Sequence, residues 1–415
     1  MSEASVMKKN LDPAKCPFCG SPEVEYPTPR TVYSCGTNEY DGRPESAMQS
    51  ETCKERVLAK PVYTTQFEKK FGIKEEDCKN KYELWYFKTL LSLIEDGTVK
   101  DDRTNTGTRS IPFHTYQHDL RESYPLMKSR YLDPFNPIKE MIWMLSGSSN
   151  VKPLQEMGVP FWNSFADEDG ELGPVYGVQW RHWKTPDGEE VDQIQYVLDL
   201  LENEPTSRRM VVSCWNPSFI PVAKTAPKDN PKLGKMSLTA CHFSFVLTAT
   251  PMNFGDRLNY FKHSHPTIYS NLYPISGKGW TERAEEAMNH RNVPKFYLDL
   301  SFIMRSNDFI LGNPANLNEY AALCMMFAQQ RNMIARYVNY TGIDVHIYSN
   351  HIAGAREQID YVKKHPEIFT DEPAKMHIGL NGKPNTIFEY TADHFVVQDY
   401  HRENTGPVIR FPIAV

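Results

Sequence analysis

Apolar residues recur along this chain with two different periods. Spacings of three and four positions predict amphipathic helices, whereas alternation or short apolar runs predict strands. Helices are predicted over residues 81–95, 137–145, 192–201, 319–337 and 352–361. Strands are predicted over residues 210–215, 238–247, 298–305 and 345–348. Helices and strands interspersed in this way predict an α+β fold.

Three stretches depart from this pattern. Residues 1–60 are irregular and are predicted to form a separate module. Residues 61–415 are predicted to form the main domain, with two insertions. The insertion over 224–235 is basic and rich in Pro and Gly, and the one over 251–294 is polar, aromatic and loop-like.

Composition and charge narrow the classes of function. The 415 residues suffice for a large core, and 40% hydrophobic with 24% charged residues is ordinary for a globular protein. A net charge of -6 provides no basic field, so no nucleic-acid partner is expected. Apolar runs fall short of the roughly 18 residues of a membrane span, and no secretory signal is recognisable. We therefore expect a cytoplasmic protein with no membrane partner.

The first module carries four of the eight cysteines. Cys16 and Cys19 form a C-x-x-C knuckle followed by glycine, and Cys35 and Cys53 follow after irregular spacers. Such a segment cannot build an apolar core, so a structural zinc held by four thiolates would supply its folding energy. This predicts a zinc-ribbon-like module, although the second pair lacks C-x-x-C spacing. The alternative is a flexible tail with incidental thiols.

Cys241 is a candidate nucleophile on a predicted strand, directly before His242. A lone cysteine in a strand is usually a small buried residue, so the interpretation depends on its surroundings. Arginines recur near predicted strand ends, at Arg103, Arg208, Arg209 and Arg305. Each cluster alone is usually solvated, but four guanidinium groups together suit a dianionic phosphate. A nearby arginine also favours the thiolate that a nucleophilic cysteine requires.

Seven motifs occur in the order in which the thymidylate synthase family carries them. They are DRTNTG at 102–107, LGPVYGVQWR at 172–181, SRRM at 207–210, CH at 241–242, RSND at 305–308, GNPAN at 312–316 and HIYSNH at 346–351. The chain resembles this family, which includes the deoxypyrimidylate hydroxymethylases, from residue 82 to residue 415. Residues 1–60 lie outside the resemblance. The resemblance implies a mixed β-sheet core with flanking helices.

The resemblance also implies a reaction, the transfer of a folate-borne one-carbon unit to C5 of dUMP. Cys241 would attack C6 of the uracil, so that C5 can attack the methylene of 5,10-methylenetetrahydrofolate, the co-substrate. Glu140 would organise water and protons near the base, and Tyr176 would assist removal of the C5 proton. Asn316 would select uracil, because a side-chain amide both donates and accepts and so matches O4 and N3–H.

Further roles implied by the resemblance concern the phosphate, the sugar and the folate. Arg103, Arg305 and Ser306 would bind the phosphate together with Arg208 and Arg209 of a second subunit, so an obligate homodimer is expected. His346 and Tyr348 would bind the ribose hydroxyl. Asp308 would take part in catalysis and would also hydrogen-bond the pterin. The folate side would comprise Phe161, Trp162, Asp308, Gly312, Ala315 and Val415.

Two products are consistent with the sequence, of which 5-hydroxymethyl-dUMP is the expected one and dTMP the alternative. An exocyclic methylene intermediate takes hydride from tetrahydrofolate in a synthase and water in a hydroxymethylase. Departures from the synthase pattern on the folate side indicate looser stacking and favour 5-hydroxymethyl-dUMP: Phe161, Phe165, Met304, Ala315 and the Thr-Ala pair at 239–240. The leader and the insertions associate the chain with phage-type dUMP hydroxymethylases, which work in the host cytoplasm. Trp162 and the C-terminal FPIAV match the synthase pattern and favour dTMP and dihydrofolate.

Two other classes of function are disfavoured by particular residues. A non-catalytic relative that only binds nucleotide would be expected to have lost Cys241 or Glu140, and both are present. A metal-dependent hydrolase would be expected to carry two histidines four apart on a helix. His346 and His351 have a different spacing on a predicted strand and turn.

Overall fold

The computed structural model describes residues 64–102, 104–272 and 279–413. The chain divides after Thr65, and the elements below belong to the second part, Gln66–Val415. The predicted zinc ligands Cys16, Cys19, Cys35 and Cys53 lie outside the described residues. The zinc-ribbon-like module therefore remains a prediction.

A mixed β-sheet of seven described strands forms the centre of the domain. The strands of the described chain are β1 Thr98–Lys100, β2 Thr108–Asp119, β3 Trp183–Lys184, β4 Glu190–Val191, β5 Val211–Ser213, β6 His242–Pro251, β7 Phe296–Met304, β8 Asn307–Asp308, β9 Ile334–Tyr348, β10 Lys375–Ile378 and β11 Phe395–Gln398. Their order in the sheet is β1-β2-β9-β7-β6-β5, with β8 beside β9. Strand β9 runs parallel to β7 and β8, and the other neighbours are antiparallel. The mixed sheet expected from the resemblance is confirmed.

Helices flank the sheet and supply much of the core. They are α1 Gln66–Phe71, α2 Lys81–Glu95, α3 Asn136–Leu145, α4 Lys152–Glu156, α5 Tyr176–Arg181, α6 Gln193–Asn203, α7 Phe254–Ser264, α8 Pro266–Leu272, α9 Trp280–His290, α10 Gly312–Gln330, α11 Ile352–Lys364 and α12 Glu367–Thr370. Helices α2, α3, α6 and α11 match four of the predicted segments. The Asn80 side chain caps α2 by accepting the backbone N–H of Glu83 at 3.2 Å. None of these helices is long and apolar enough to cross a membrane.

Helix α10 and strand β9 differ from the prediction of a helix over 319–337. The helix begins earlier, at Gly312, and ends at Gln330, and almost all of it is buried. Asn332 has a φ of 48°, and the chain then turns into β9, of which only 345–348 was predicted as strand. The error arose because a helix apolar on all sides has no polar stripe that marks its end.

The insertion over 251–294 was predicted to be loop-like, and this was wrong. It contains α7, α8 and α9, and Asn253 caps α7 by accepting the N–H of Asp256 at 2.8 Å. Phe261, Met288 and Val293 are buried against one another in a small apolar cluster of their own. The other insertion, 224–235, is irregular as predicted, apart from two short 3-10 turns.

The close approach of α3 and α5 depends on a glycine. A Cβ built on Gly177 would lie 2.4 Å from the backbone oxygen of Met144, a separation that real Cβ atoms do not tolerate. Helix α3 carries Glu140 and α5 carries Tyr176. The absence of a side chain at residue 177 therefore brings two candidate site residues towards each other.

We expect Gly177→Ala to lower the free energy of unfolding by about 1–3 kcal/mol, because the two helices must separate to accommodate the methyl group. Urea unfolding followed by circular dichroism measures the change. Gly255→Ala is the matched control, since Gly255 also lies in a helix and its Cβ would meet only a side-chain oxygen of Asn253 at 3.3 Å. Equal stability of the two variants would contradict this account of the helix contact.

Candidate active site

Several predicted site residues lie at the ends of strands, at one edge of the sheet. His242 at the start of β6 is paired with Met304 at the end of β7. Cys241 and Arg305, which adjoin these two residues, are therefore neighbours although they are far apart in sequence. Asp308 on β8 is paired with His346 on β9, so that two more site residues meet at the same edge.

The Arg305 side chain holds the segment that precedes the cysteine. Its Nε donates to the backbone oxygen of Ala240 at 2.8 Å, and its Nη2 donates to that of Thr239 at 3.1 Å. The same Nη2 lies 3.9 Å from the Sγ of Cys241. A side chain thus satisfies these carbonyls in place of a neighbouring strand. Strand β6 consequently begins at His242, later than the predicted residue 238.

Two opposing effects act on the Cys241 thiol. Burial is the largest and raises the pKa of the thiol, whereas the Arg305 guanidinium lowers it and the Asp308 carboxylate raises it. Arg305 is therefore the cation that stabilises the thiolate.

A cavity of about 560 Å³ opens in front of Cys241, within the range of small-molecule sites. Seven of the predicted site residues line it: Trp162, Tyr176, Cys241, Arg305, Ser306, His346 and Tyr348. Lys100, which sequence reasoning missed, adds a second cation, and its Nζ is 2.9 Å from the Oδ1 of Asp344. The cavity thus combines a sulfur nucleophile with two basic side chains and three acidic ones, Asp101, Asp102 and Asp344.

Tyr176 is fixed by contacts on both its ring and its hydroxyl. The hydroxyl oxygen accepts the backbone N–H of Cys241 at 2.8 Å, and the ring stacks on His242 with centroids 4.1 Å apart. The Nδ1 of His242 lies 2.8 Å from the Tyr320 hydroxyl, and burial lowers the pKa of His242 to about 3. His242 is therefore neutral and serves to position Tyr176.

Glu140 belongs to a buried polar group that includes a residue not predicted from the sequence. The Nε1 of Trp162 donates to the Oε1 of Glu140 at 2.6 Å. The carboxyl of Glu140 lies next to that of Glu319 on α10, and the Oε2 of Glu319 accepts from the Nδ2 of Asn316 at 3.2 Å. The available signal for Glu319 in the sequence was an acid within an otherwise apolar helix.

The remaining predicted residues fall into three groups. Asp308 accepts the backbone N–H groups of Ile310 and Leu311 at 3.0 and 3.1 Å, just before α10, whose first residue is Gly312. Ala315 is half-buried in the first turns of α10. Phe161, Arg208 and Arg209 are exposed and do not line the cavity of the single chain. Arg103 and Val415 lie outside the described residues.

The described residues contain no group of three or more His, Cys, Asp or Glu side chains arranged to hold a metal ion. The chemistry that these residues offer is that of a cysteine nucleophile beside cations and a buried carboxyl pair.

We expect Arg305→Met to slow alkylation of Cys241 by iodoacetamide about tenfold near neutral pH, because removing an adjacent cation raises a thiol pKa by about one unit or more. Peptide mass spectrometry follows Cys241 separately from the other cysteines. Arg356→Met, on the exposed face of α11, is the control and should react like the unmodified protein. An unchanged rate in Arg305→Met would show that Arg305 does not stabilise the thiolate.

Two comparisons with known proteins identify the family of the chain. The sequence model of the family described as thymidylate synthase matches residues 85–265 and 284–415. The thymidylate synthase of Corynebacterium aurimucosum is 37% identical over 331 residues, which cover 80% of this chain and 97% of that relative. The matched ranges contain every described residue of the candidate site. The chain therefore belongs to the thymidylate synthase family.

Proposed function

We propose that this protein transfers a one-carbon unit from 5,10-methylenetetrahydrofolate to C5 of dUMP. The observation that carries the proposal is the position of the Cys241 sulfur, which faces the cavity 3.9 Å from the Arg305 guanidinium. A nucleophile beside a fixed cation suits a substrate that joins an electrophilic ring to a phosphate. Family membership supports both dUMP and the folate as substrates.

In the first half of the proposed reaction, the Cys241 thiolate forms a bond to C6 of the uracil. Electron density moves to C5 and O4, and C5 then forms a bond to the methylene carbon of the folate as one of the two carbon–nitrogen bonds of that carbon breaks. Glu140 lies beside Trp162, which lines the cavity, so it can organise water near the base. Arg305, Ser306, His346 and Tyr348 line the same cavity and are available for the phosphate and sugar.

In the second half, the C5 proton leaves, the remaining carbon–nitrogen bond to the folate breaks, and an exocyclic methylene forms on C5. Tyr176 is buried, with its oxygen at the Cys241 backbone, and would assist removal of this proton. Hydride from tetrahydrofolate would then give dTMP and dihydrofolate, and addition of water would give 5-hydroxymethyl-dUMP and tetrahydrofolate. Loss of Cys241 from C6 completes either reaction.

The surroundings of the cavity favour reductive methylation as the first candidate for the product. Trp162 is buried and packs edge-on against Tyr176, which favours exclusion of water from the intermediate. The C-terminal segment is docked, since His351 Nε2 donates to the Pro412 oxygen at 2.7 Å and the Phe411 ring lies near the His351 ring. The matched Corynebacterium relative is also named a thymidylate synthase.

Hydroxymethylation is the second candidate, and particular residues support it. Ala315 leaves the start of α10 without an aromatic ring, and Phe165 lines the cavity where the synthase pattern has Trp. Met304, by contrast, gives no support to hydroxymethylation. It is buried in the core, where its sulfur accepts from the Nδ2 of Asn307 at 3.2 Å.

We also propose that the enzyme works as a homodimer in which Arg208 and Arg209 complete the partner's phosphate site. Both arginines are exposed in the single chain. Apolar residues on four strands of the sheet are exposed as well, which favours a partner that covers the sheet. They are Val99, Phe113, Val211 and Ile343.

We expect the purified enzyme to convert dUMP and methylenetetrahydrofolate into dTMP and dihydrofolate, with both products identified by mass spectrometry. Formation of 5-hydroxymethyl-dUMP with tetrahydrofolate would instead establish the second candidate. Cys241→Ser should lower turnover at least a thousandfold, because a neutral hydroxyl is a far weaker nucleophile than a thiolate. Cys78→Ser, at a buried cysteine outside the cavity, is the control. Substantial turnover by Cys241→Ser would reject the covalent mechanism.

We expect two inactive variants to complement each other if the arginines act across subunits. Arg208→Ala/Arg209→Ala keeps the nucleophile, and Cys241→Ser keeps the arginines. Random reassortment of equal amounts should restore about one quarter of the wild-type activity, because half of the dimers are mixed and each has one intact site. Arg208→Ala/Arg209→Ala/Cys241→Ser in place of the second partner should restore none. Mixed dimers without activity would contradict the proposal.

A further inference from the structure

Glu319 is an acid buried in the middle of the domain without a basic partner. Its exposure is 1%, and that of the neighbouring carboxyl residue Glu140 is 7%. Within the described residues, neither carboxyl forms an ion pair with Lys, Arg or His. A buried acid in this setting is costly unless it is neutral or fully hydrogen-bonded.

The two carboxyls can remain in contact only if they share a proton. Burial raises the pKa of both, and the neighbouring Glu140 raises that of Glu319 still further. Trp162 donates to Glu140, which favours the ionised form of that residue. The proton therefore resides on Glu319, which can donate it to Glu140.

A neutral Glu319 has one further consequence, for the amide of Asn316. The Oε2 of Glu319 accepts from the Asn316 Nδ2 at 3.2 Å. The Oδ1 of the same amide is near Gly312, where a Cβ atom would lie 3.4 Å from it. With Nδ2 held in this way, its second N–H and the Oδ1 remain for a base. A flipped amide would place Oδ1 against the Glu319 oxygen, so that two acceptors would face each other.

The orientation of this amide decides between two pyrimidines. Uracil presents an acceptor at O4 and a donor at N3, and cytosine presents a donor at N4 and an acceptor at N3. An amide held in one orientation matches only one of these patterns, whereas an amide free to flip can match both. A residue that prevents the flip therefore creates discrimination without touching the base.

We propose that Glu319 is a positioning residue that locks the Asn316 amide and thereby sets the preference for uracil over cytosine. The inference rests on the proposed function, with Asn316 binding the base of a pyrimidine deoxynucleotide. It assigns specificity to a side chain that acts through Asn316 and not through contact with the substrate.

Two substitutions separate hydrogen bonding from packing. Glu319→Gln reproduces the neutral acid, because its amide oxygen can accept from Asn316 while its NH₂ donates to Glu140. Glu319→Met fills similar space without either hydrogen bond. Asn316→Asp is the comparator for lost uracil preference, and Glu83→Gln, at a buried acid on α2, is the matched control.

The experiment measures kcat/KM for dUMP and dCMP, with methylenetetrahydrofolate and C5-tritiated nucleotides, as release of tritium to water. We expect the ratio of dUMP to dCMP to fall at least about tenfold in Glu319→Met, since a buried polar mismatch no longer penalises cytosine. The ratio should stay within about threefold of wild type in Glu319→Gln and Glu83→Gln, whose neutral amides preserve the hydrogen bonds. Binding of each nucleotide without folate should change in the same sense.

Two outcomes would overturn the inference. A folded Glu319→Met with the wild-type ratio would show that Glu319 does not control the amide. A Glu319→Gln that loses the preference would do so as well, and this test does not depend on how well Glu319→Met folds. A wild-type protein that binds neither nucleotide would overturn the proposed function together with the inference. Discrimination retained in Glu319→Met overturns the inference alone.

Discussion

Arg305 follows strand β7, and its guanidinium hydrogen-bonds the segment that precedes the neighbouring strand β6. Its planar set of donors bonds two backbone carbonyls, of Thr239 and Ala240, and still faces the Cys241 sulfur. The same cation thus fixes the position of the nucleophile and favours its charged form. The position of the sulfur and the positive charge beside it therefore both depend on this one side chain.

The rest of the site is built from buried polar groups that satisfy one another. Tyr176 accepts from the Cys241 backbone and stacks on His242, which in turn meets Tyr320. Glu140 accepts from Trp162 and shares a proton with Glu319. Such a network specifies one arrangement, because a buried donor or acceptor that loses its partner costs about 1–3 kcal/mol. Since most of these side chains stand on helices or strands, the core itself positions the chemistry.

The large insertion adds structure without changing this arrangement. Helices α7 to α9 enclose the apolar cluster of Phe261, Met288 and Val293. They lie in sequence between β6 and β7, yet these two strands remain paired in the sheet. The insertion is therefore accommodated at a strand connection, where a long excursion costs little additional loop entropy.

The local sequence was sufficient to identify the fold class, the family and seven of the residues that line the cavity. Periodic apolar positions located α2, α3, α6 and α11, and ordered motifs pointed to Cys241, Arg305 and His346. These features are local, so they can be recognised without knowledge of the partners of each residue. The polar face of an amphipathic helix and the residue types of a motif can both be recognised in a short stretch of sequence.

Features that depend on partners distant in sequence could be established only from the folded structure. The boundary between α10 and β9 could not be located, because both are buried by neighbours that the apolar pattern does not identify. The helical insertion was missed because its short helices pack mainly on one another. The role of Glu319 depends on Glu140, which belongs to a helix far away in sequence and becomes its neighbour only on folding. Burial and proximity create its shared proton, and neither is a property of the residue itself.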